Sequence, residues 1–177
     1  DDGISFRVDS DVLCPFYLRA FARDGAWYGI CKHDNCDGLL VRSPDGVQPF
    51  ETIKHVLPRM RHVALRTRGD VLDVVYSRAG DEPERLLQSE MALSGPPADW
   101  SPSEPRDLLA PERPWEGAEL PAAPSRGGAA LEPVRQLRDP CMYNEAGRSW
   151  LLYSVAGEQG IAIAELRDES TTGKASA

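Results

Sequence analysis

The chain has 177 residues and a net charge of −8, and such an acidic surface repels phosphate backbones, so nucleic acid is not an expected partner. Its apolar runs fall well short of the roughly 20 residues that cross a bilayer as a helix, so no membrane span is expected. Four cysteines are few for a disulfide scaffold of this length; they read as free thiols and point to a reducing, cytoplasmic setting.

Chain order begins with "DGISF" at residues 2–6, which is echoed by "SPDGVQPF" at residues 43–50, with the two Asp-Gly turns 43 residues apart. The next element, "FARDGAWYGICK" at residues 21–32, combines a turn with an apolar strand pattern and aligns with "TRGDVLDVVYSR" at 67–78 and "NEAGRSWLLYSV" at 144–155. With Cys31, Tyr76 and Tyr153 in equivalent places, the intervals are 45 and 77 residues. Strands of this pattern form antiparallel sheets, and a period in the forties suits a four-stranded propeller blade. Within the first copy, "CKHDNC" at 31–36 brings Cys31, His33 and Cys36 into one loop. Zinc wants four ligands, and no second Cys/His pair lies nearby, so no metal site is expected. At 14–17, "CPFY" opens the same copy and offers either an aromatic face for a ligand or a packed Phe16. Arg61-His62, in "PRMRHVAL", opens the second copy, where the histidine either contacts a ligand or packs between sheets.

The longer interval before the third copy holds an insertion. Residues 96–133 contain nine of the fifteen prolines, which bars a central strand or a long helix there. Trp100, Trp115 and Leu120 are too apolar for a solvated tether, so an ordered crossing loop is expected. Arg138-Asp139-Pro140 opens the third copy, and a polar tail occupies 167–177. The expected fold is all-β: a partial five-bladed β-propeller over 1–166, with about three four-stranded antiparallel blades plus the end of another at Asp2-Gly3. Because propellers close with four to eight blades, further N-terminal blades of the same protein are expected partners.

The blade-closing "S-x-DG-x-x-F", the opening "RDP" and "RH", and "G-x-x-W-L-L-Y-S" resemble the five-bladed propeller glycosidases of glycoside hydrolase families 43 and 32 and their uncharacterised relatives. "RPWEGAELPAAPSRGGAALEPVRQLRDP" is similar to the last part of such relatives, and the resemblance covers residues 1–166. It implies a carbohydrate ligand in a central funnel and a pair of carboxyl groups flanking a furanoside-type bond, one protonated and one ionised. Glu116, in "WEGAEL", matches the family 43 acid, with Glu119 as the neighbouring alternative. Trp115 would desolvate that carboxyl. The other reading of "PWEG" is a solvated Pro/Gly turn. Asp139 matches the family 32 aspartate that holds sugar hydroxyls, with Arg138 fixing it; here, however, "RDP" follows the glutamate instead of preceding it. Arg61 and His62 would complete the sugar contacts. No cofactor is implied. The alternatives to hydrolysis are a non-catalytic sugar-binding or interaction propeller and a phosphorylase-type relative.

Overall fold

The structure, a computed structural model, describes residues 3–8, 11–34 and 36–167. The expectations for Asp2 and for the tail beyond Arg167 lie outside the described residues. Eleven strands form three antiparallel sheets, with no α-helix among the described residues. The first sheet takes β1 (Arg19–Arg23), β2 (Ala26–His33), β3 (Asp37–Ser43) and β4 (Glu51–Val56) in chain order. The second takes β5 (Met60–Arg68), β6 (Val71–Arg78), β7 (Leu86–Ala92) and β8 (Arg106–Leu109) in the same way. The third contains β9 (Arg138–Glu145), β10 (Arg148–Val155) and β11 (Gly160–Leu166), three strands where four were expected. This is an all-β arrangement consistent with part of a propeller.

Local chemistry explains the hairpins. Each repeat copy is the turn and second strand of its sheet. Asp24-Gly25 and Ala146-Gly147 have positive φ at both positions, the backbone that a two-residue type I′ hairpin turn requires. Gly69-Asp70 turns with positive φ at the glycine alone. The second strands of the first two sheets are apolar on both faces because those sheets are covered on both sides. Pairing runs Arg23↔Ala26, Arg68↔Val71 and Arg148↔Glu145 next to the three turns, so the copies share one register.

The sheets stack face to face. Tyr28, Ile30 and Leu40 of the first sheet meet Val63, Leu72, Val74 and Tyr76 of the second in one apolar cluster. The opposite face of the second sheet offers Val75 and Leu86 to Leu151, Tyr153 and Val155 of the third. On the first sheet's far side, Cys31, Leu39, Val41 and Phe50 are covered by the chain's own Leu13, Cys14 and Leu18. Phe50 N–H donates to Leu13 O at 2.6 Å and Lys32 N–H to Phe16 O at 3.0 Å, which ties this strap to the sheet edge.

Parts of the Pro-rich segment contact each of the three sheets, through Trp100 on Tyr28, β8 on β7 and Glu116 on Tyr153. Trp100 is buried against Tyr28, ring centroids 4.9 Å apart. Lys54 Nζ donates to Ala98 O and Ser101 Oγ, each at 2.9 Å. The segment is not irregular throughout: Arg106–Leu109 pairs with β7 as an edge strand, the one strand position that flanking prolines tolerate. Further along it, Ser125 Oγ donates to Arg78 O at 3.2 Å.

Candidate functional site

The starts of the first strands and the ends of the second strands converge at one end of the stack. There they enclose a cavity of about 550 Å³ lined by Lys32, Arg61, His62, Ala79, Gly127, Gly128, Ala129, Asp139, Ser154 and Glu158. The repeat accounts for this. Lys32 and Ser154 each follow the aligned Cys31 and Tyr153, while His62 and Asp139 each sit at the opening of a first strand. Residues from all three sheets are thereby neighbours despite their distance in sequence.

A buried ionic lattice holds the walls. Glu84, fully buried on the loop between β6 and β7, places Oε2 3.0 Å from Arg61 Nη1 and 3.2 Å from Arg138 Nε. It therefore links the second sheet to the third, and the loop backbone repeats the link through Leu137 N–H to Glu84 O at 3.0 Å. Burial pushes the Glu84 carboxyl up, while Arg61 and Arg138 act in the opposite direction. Both guanidiniums also fasten the Gly-rich loop over the cavity. Arg61 donates to Arg126 O and Gly128 O, both at 2.6 Å. Arg138 Nη1 lies 2.9 Å from Glu158 Oε1, and its guanidinium also donates to Gln136 Oε1. Charges taken out of water are tolerable only when paired and hydrogen-bonded in this way.

Within that frame, His62 Nε2 lies 3.1 Å from Asp139 Oδ1. Burial, followed by the cations of Lys32, Arg61 and Arg138, drives the imidazole down to about 3. His62 is therefore neutral at pH 7, and its Nε2 positions the Asp139 side chain. Its Nδ1 is buried with no hydrogen-bond partner. Tyr17 packs on the imidazole with centroids 5.4 Å apart, and Lys32 Nζ sits 5.4 Å from the Tyr17 ring. Lys32 is lowered by burial and then by Arg61. Asp139 (φ 49°) and Tyr17 (φ 66°) both hold left-handed backbone, a strained conformation that clusters at ligand sites.

Of the expected site residues, Arg61, His62, Arg138 and Asp139 come together here. Glu116 and Trp115 do not line the cavity. Glu116 is buried, but its Oε2 accepts the Glu112 and Arg113 N–H groups at 2.9 Å each, and its Oε1 accepts the Tyr153 hydroxyl at 3.1 Å. Burial and then Glu116 push that phenol up to about 12. The carboxylate is occupied in fastening its loop to the third sheet. Trp115, 55 % exposed, does not wall it off. Phe16 is also largely exposed, with Lys32 Nζ 5.3 Å from its ring, which corrects the core-packing alternative. Sequence reasoning missed Lys32, Ser154, Glu84 and Glu158. The first two were within reach of the repeat, one residue past its aligned positions. Glu84 and Glu158 are loop residues with no pattern to mark them. Among the described residues, no group of three or more His, Cys, Asp or Glu is arranged to hold a metal ion. In "CKHDNC", Cys31 is buried in the first sheet's far face while Cys36 is exposed, so the two do not converge.

No family model matches the chain. It is 37% identical over 183 residues to an uncharacterized protein of Acanthamoeba polyphaga mimivirus, an alignment that covers 93% of this chain and 50% of that protein. The chain thus spans about half the length of the curated relative it matches. Among solved structures it is similar to a GH32 beta-fructofuranosidase of Bombyx mori, with 18% identity and a TM-score of 0.49 over 87% of this chain and 34% of that one. It is similar also to a variant of that enzyme in complex with sucrose, at 18% identity and a TM-score of 0.48 over 86% and 34% of the two chains. Likeness at this level assigns no residue of this chain a role.

Proposed function

We propose that residues 1–166 are consecutive blades of a five-bladed propeller, and that the cavity at their converging ends binds carbohydrate. What supports the binding reading is the chemistry of the lining. Asp139 and Glu158 supply acceptors, Lys32 a donor, Ser154 a group of both kinds and Gly127-Gly128 close backbone access. A sugar offers hydroxyls that donate and accept at fixed angles, and such a mixed, rigid wall answers them. Asp139, held by His62 through Oδ1, presents carboxyl oxygens that can accept hydroxyl hydrogen bonds.

A glycan panel screened by saturation-transfer NMR, followed by titration of any binder, tests this. Asp139→Asn should weaken binding about 10-fold or more, as expected for hydrogen bonds to a charged group. A panel without binders, or affinity unchanged by Asp139→Asn, counts against it.

Hydrolysis is the second reading. It is favoured by two carboxylates, Asp139 and Glu158, in one cavity, since glycosidases work with a carboxyl pair. Glu116, outside the cavity with both oxygens engaged, is the weaker candidate for the acid; Glu158 lines the cavity and, among the described residues, engages only Oε1, with Arg138 and the Ala130 N–H. Release of reducing sugar that falls about 10²-fold or more in Glu158→Gln but not in Glu116→Gln would support this assignment; the reverse ranking would return the role to Glu116.

A further inference from the structure

We propose that Cys14 and Cys31 are a disulfide-forming pair, and that the crosslink clamps the strap of residues 13–18 onto the first sheet and so fixes one wall of the cavity. The inference is independent of what the cavity binds. Leu13, Cys14 and Leu18 of the strap pack on Cys31, Leu39, Val41 and Phe50 at the first sheet's far face. Two backbone hydrogen bonds hold the strap on either side of Cys14: the Phe50 N–H donates to Leu13 O, and the Lys32 N–H donates to Phe16 O. Lys32 is the neighbour of Cys31 in β2. These anchors bring Cys14 onto Cys31 although the two are 17 residues apart in sequence. Cys31 is fully buried and Cys14 half-buried, and the two thiols act directly on each other as hydrogen-bonding partners. Cys36 and Cys141 are both exposed and lie outside this cluster.

The strap leads into the cavity. Tyr17, with left-handed backbone at φ 66°, packs on His62 with ring centroids 5.4 Å apart. Lys32 Nζ lies 5.3 Å from the Phe16 ring and 5.4 Å from the Tyr17 ring. A crosslink at Cys14 removes conformations from the lifted strap and leaves the seated one, the way a disulfide stabilises a fold. The oxidant is glutathione disulfide. The more accessible Cys14, as thiolate, attacks one glutathione sulfur; one glutathione leaves, and Cys14 carries the other as a mixed disulfide. Cys31 gives up its proton and attacks the Cys14 sulfur. The bond between Cys14 and glutathione breaks, and the second glutathione leaves with the proton. Two protein thiols are thereby oxidised, and one glutathione disulfide is reduced to two glutathiones. Burial pushes both thiols up, Cys31 to about 12, so thiolate is scarce at pH 7 and closure is slow, on the order of hours.

The test incubates the folded protein carrying Cys36→Ser and Cys141→Ser with excess glutathione disulfide, quenches it with iodoacetamide in urea and maps the peptides by mass spectrometry. The expected product is a peptide pair joined through Cys14 and Cys31 that dithiothreitol reopens. If the double variant does not fold, the parent chain gives the same map, since tryptic cleavage at Arg19, Arg23 and Lys32 puts Cys14, Cys31 and Cys36 on separate peptides. Hydrogen exchange then reads the clamp. The Lys32 and Phe50 amides donate to strap carbonyls and should exchange about 10-fold or more slowly after oxidation. A mixed disulfide that persists on Cys14 while Cys31 stays a thiol overturns the proposal, as do two thiols still free after prolonged incubation. So does a crosslink that forms in urea but not in the folded protein, or one that leaves the exchange of Lys32 and Phe50 unchanged.

Discussion

His62 ties folding to pH in a direction opposite to that of a salt-bridged histidine. Its folded value of about 3 lies below the 6.5 of a free imidazole. Between those values the unfolded chain binds the proton and the folded chain does not, so stability rises with pH through this window and is lost as pH falls from about 6.5 toward 3. The contribution is on the order of a few kcal/mol, given the shift and a side chain only 13 % exposed. Urea titrations of His62→Gln and the parent chain should therefore diverge at neutral pH and draw together near pH 4; a constant difference across that range would refute the assignment. Glu84 works by pairing. Its removal as Glu84→Ala leaves Arg61 and Arg138 facing each other across a buried gap, which should cost about 3–5 kcal/mol. Glu84→Gln keeps the shape and one acceptor and should cost less. Equal losses in both variants would mean that packing, not charge, makes the residue important.

The strands show which parts of the sequence are legible and which are not. The three hairpins could be read because two-residue turns need particular residues and the strands between them are apolar at fixed spacing. The apolar residues of the Pro-rich run divide: Trp100 is buried against Tyr28, whereas Trp115 is 55 % exposed, so apolar composition alone did not say which of them packs. Strand β8 could not be read: a four-residue strand in the short run between Pro105 and Pro111 carries too little periodicity, and its pairing is set by β7. Glu116 shows why a local match misleads. "PWEG" has the composition of an acid beside an aromatic wall, but in "PERPWEG" the carboxylate turns back onto the N–H groups of its own loop. That turn depends on Gly117, which holds φ 82° and would place a Cβ 2.8 Å from Val134 O. Gly117→Ala should destabilise the protein by about 1–3 kcal/mol through strain and collision. Unfolding curves superimposable on those of the parent chain would show that the crossing segment is not held at this point. The cavity was legible to the extent that strand openings repeat. Glu84 and Glu158 enter it from connecting loops, whose sequence has no period to follow.

At the scale of the molecule, the two seams are unequal, and this sets the order in which the protein should open. The seam between the first and second sheets buries sixteen residues of one apolar cluster among those described, the other seam six, so the first is held by far more burial. The second seam also widens into a cleft of about 520 Å³ lined by charged groups, including Arg66, Arg68, Glu90, Asp107 and Glu165. Buried Asp73, mid-strand in β6, accepts from Arg66 and Arg68 there in place of apolar packing. Strands β6 and β10 occupy equivalent positions and are paired along both edges, so hydrogen bonding alone would protect them equally. Packing separates them, because β6 is covered on both faces and β10 on one. Regions with fewer buried contacts open at lower free energy. Native-state hydrogen exchange on this chain should therefore find the amides of Val74 and Val75 about 10-fold or more slower than those of Leu151 and Leu152. The third sheet would open while the first two stay together. Equal protection would mean that the ionic lattice through Glu84 and Arg138 couples the third sheet as firmly as apolar burial couples the first.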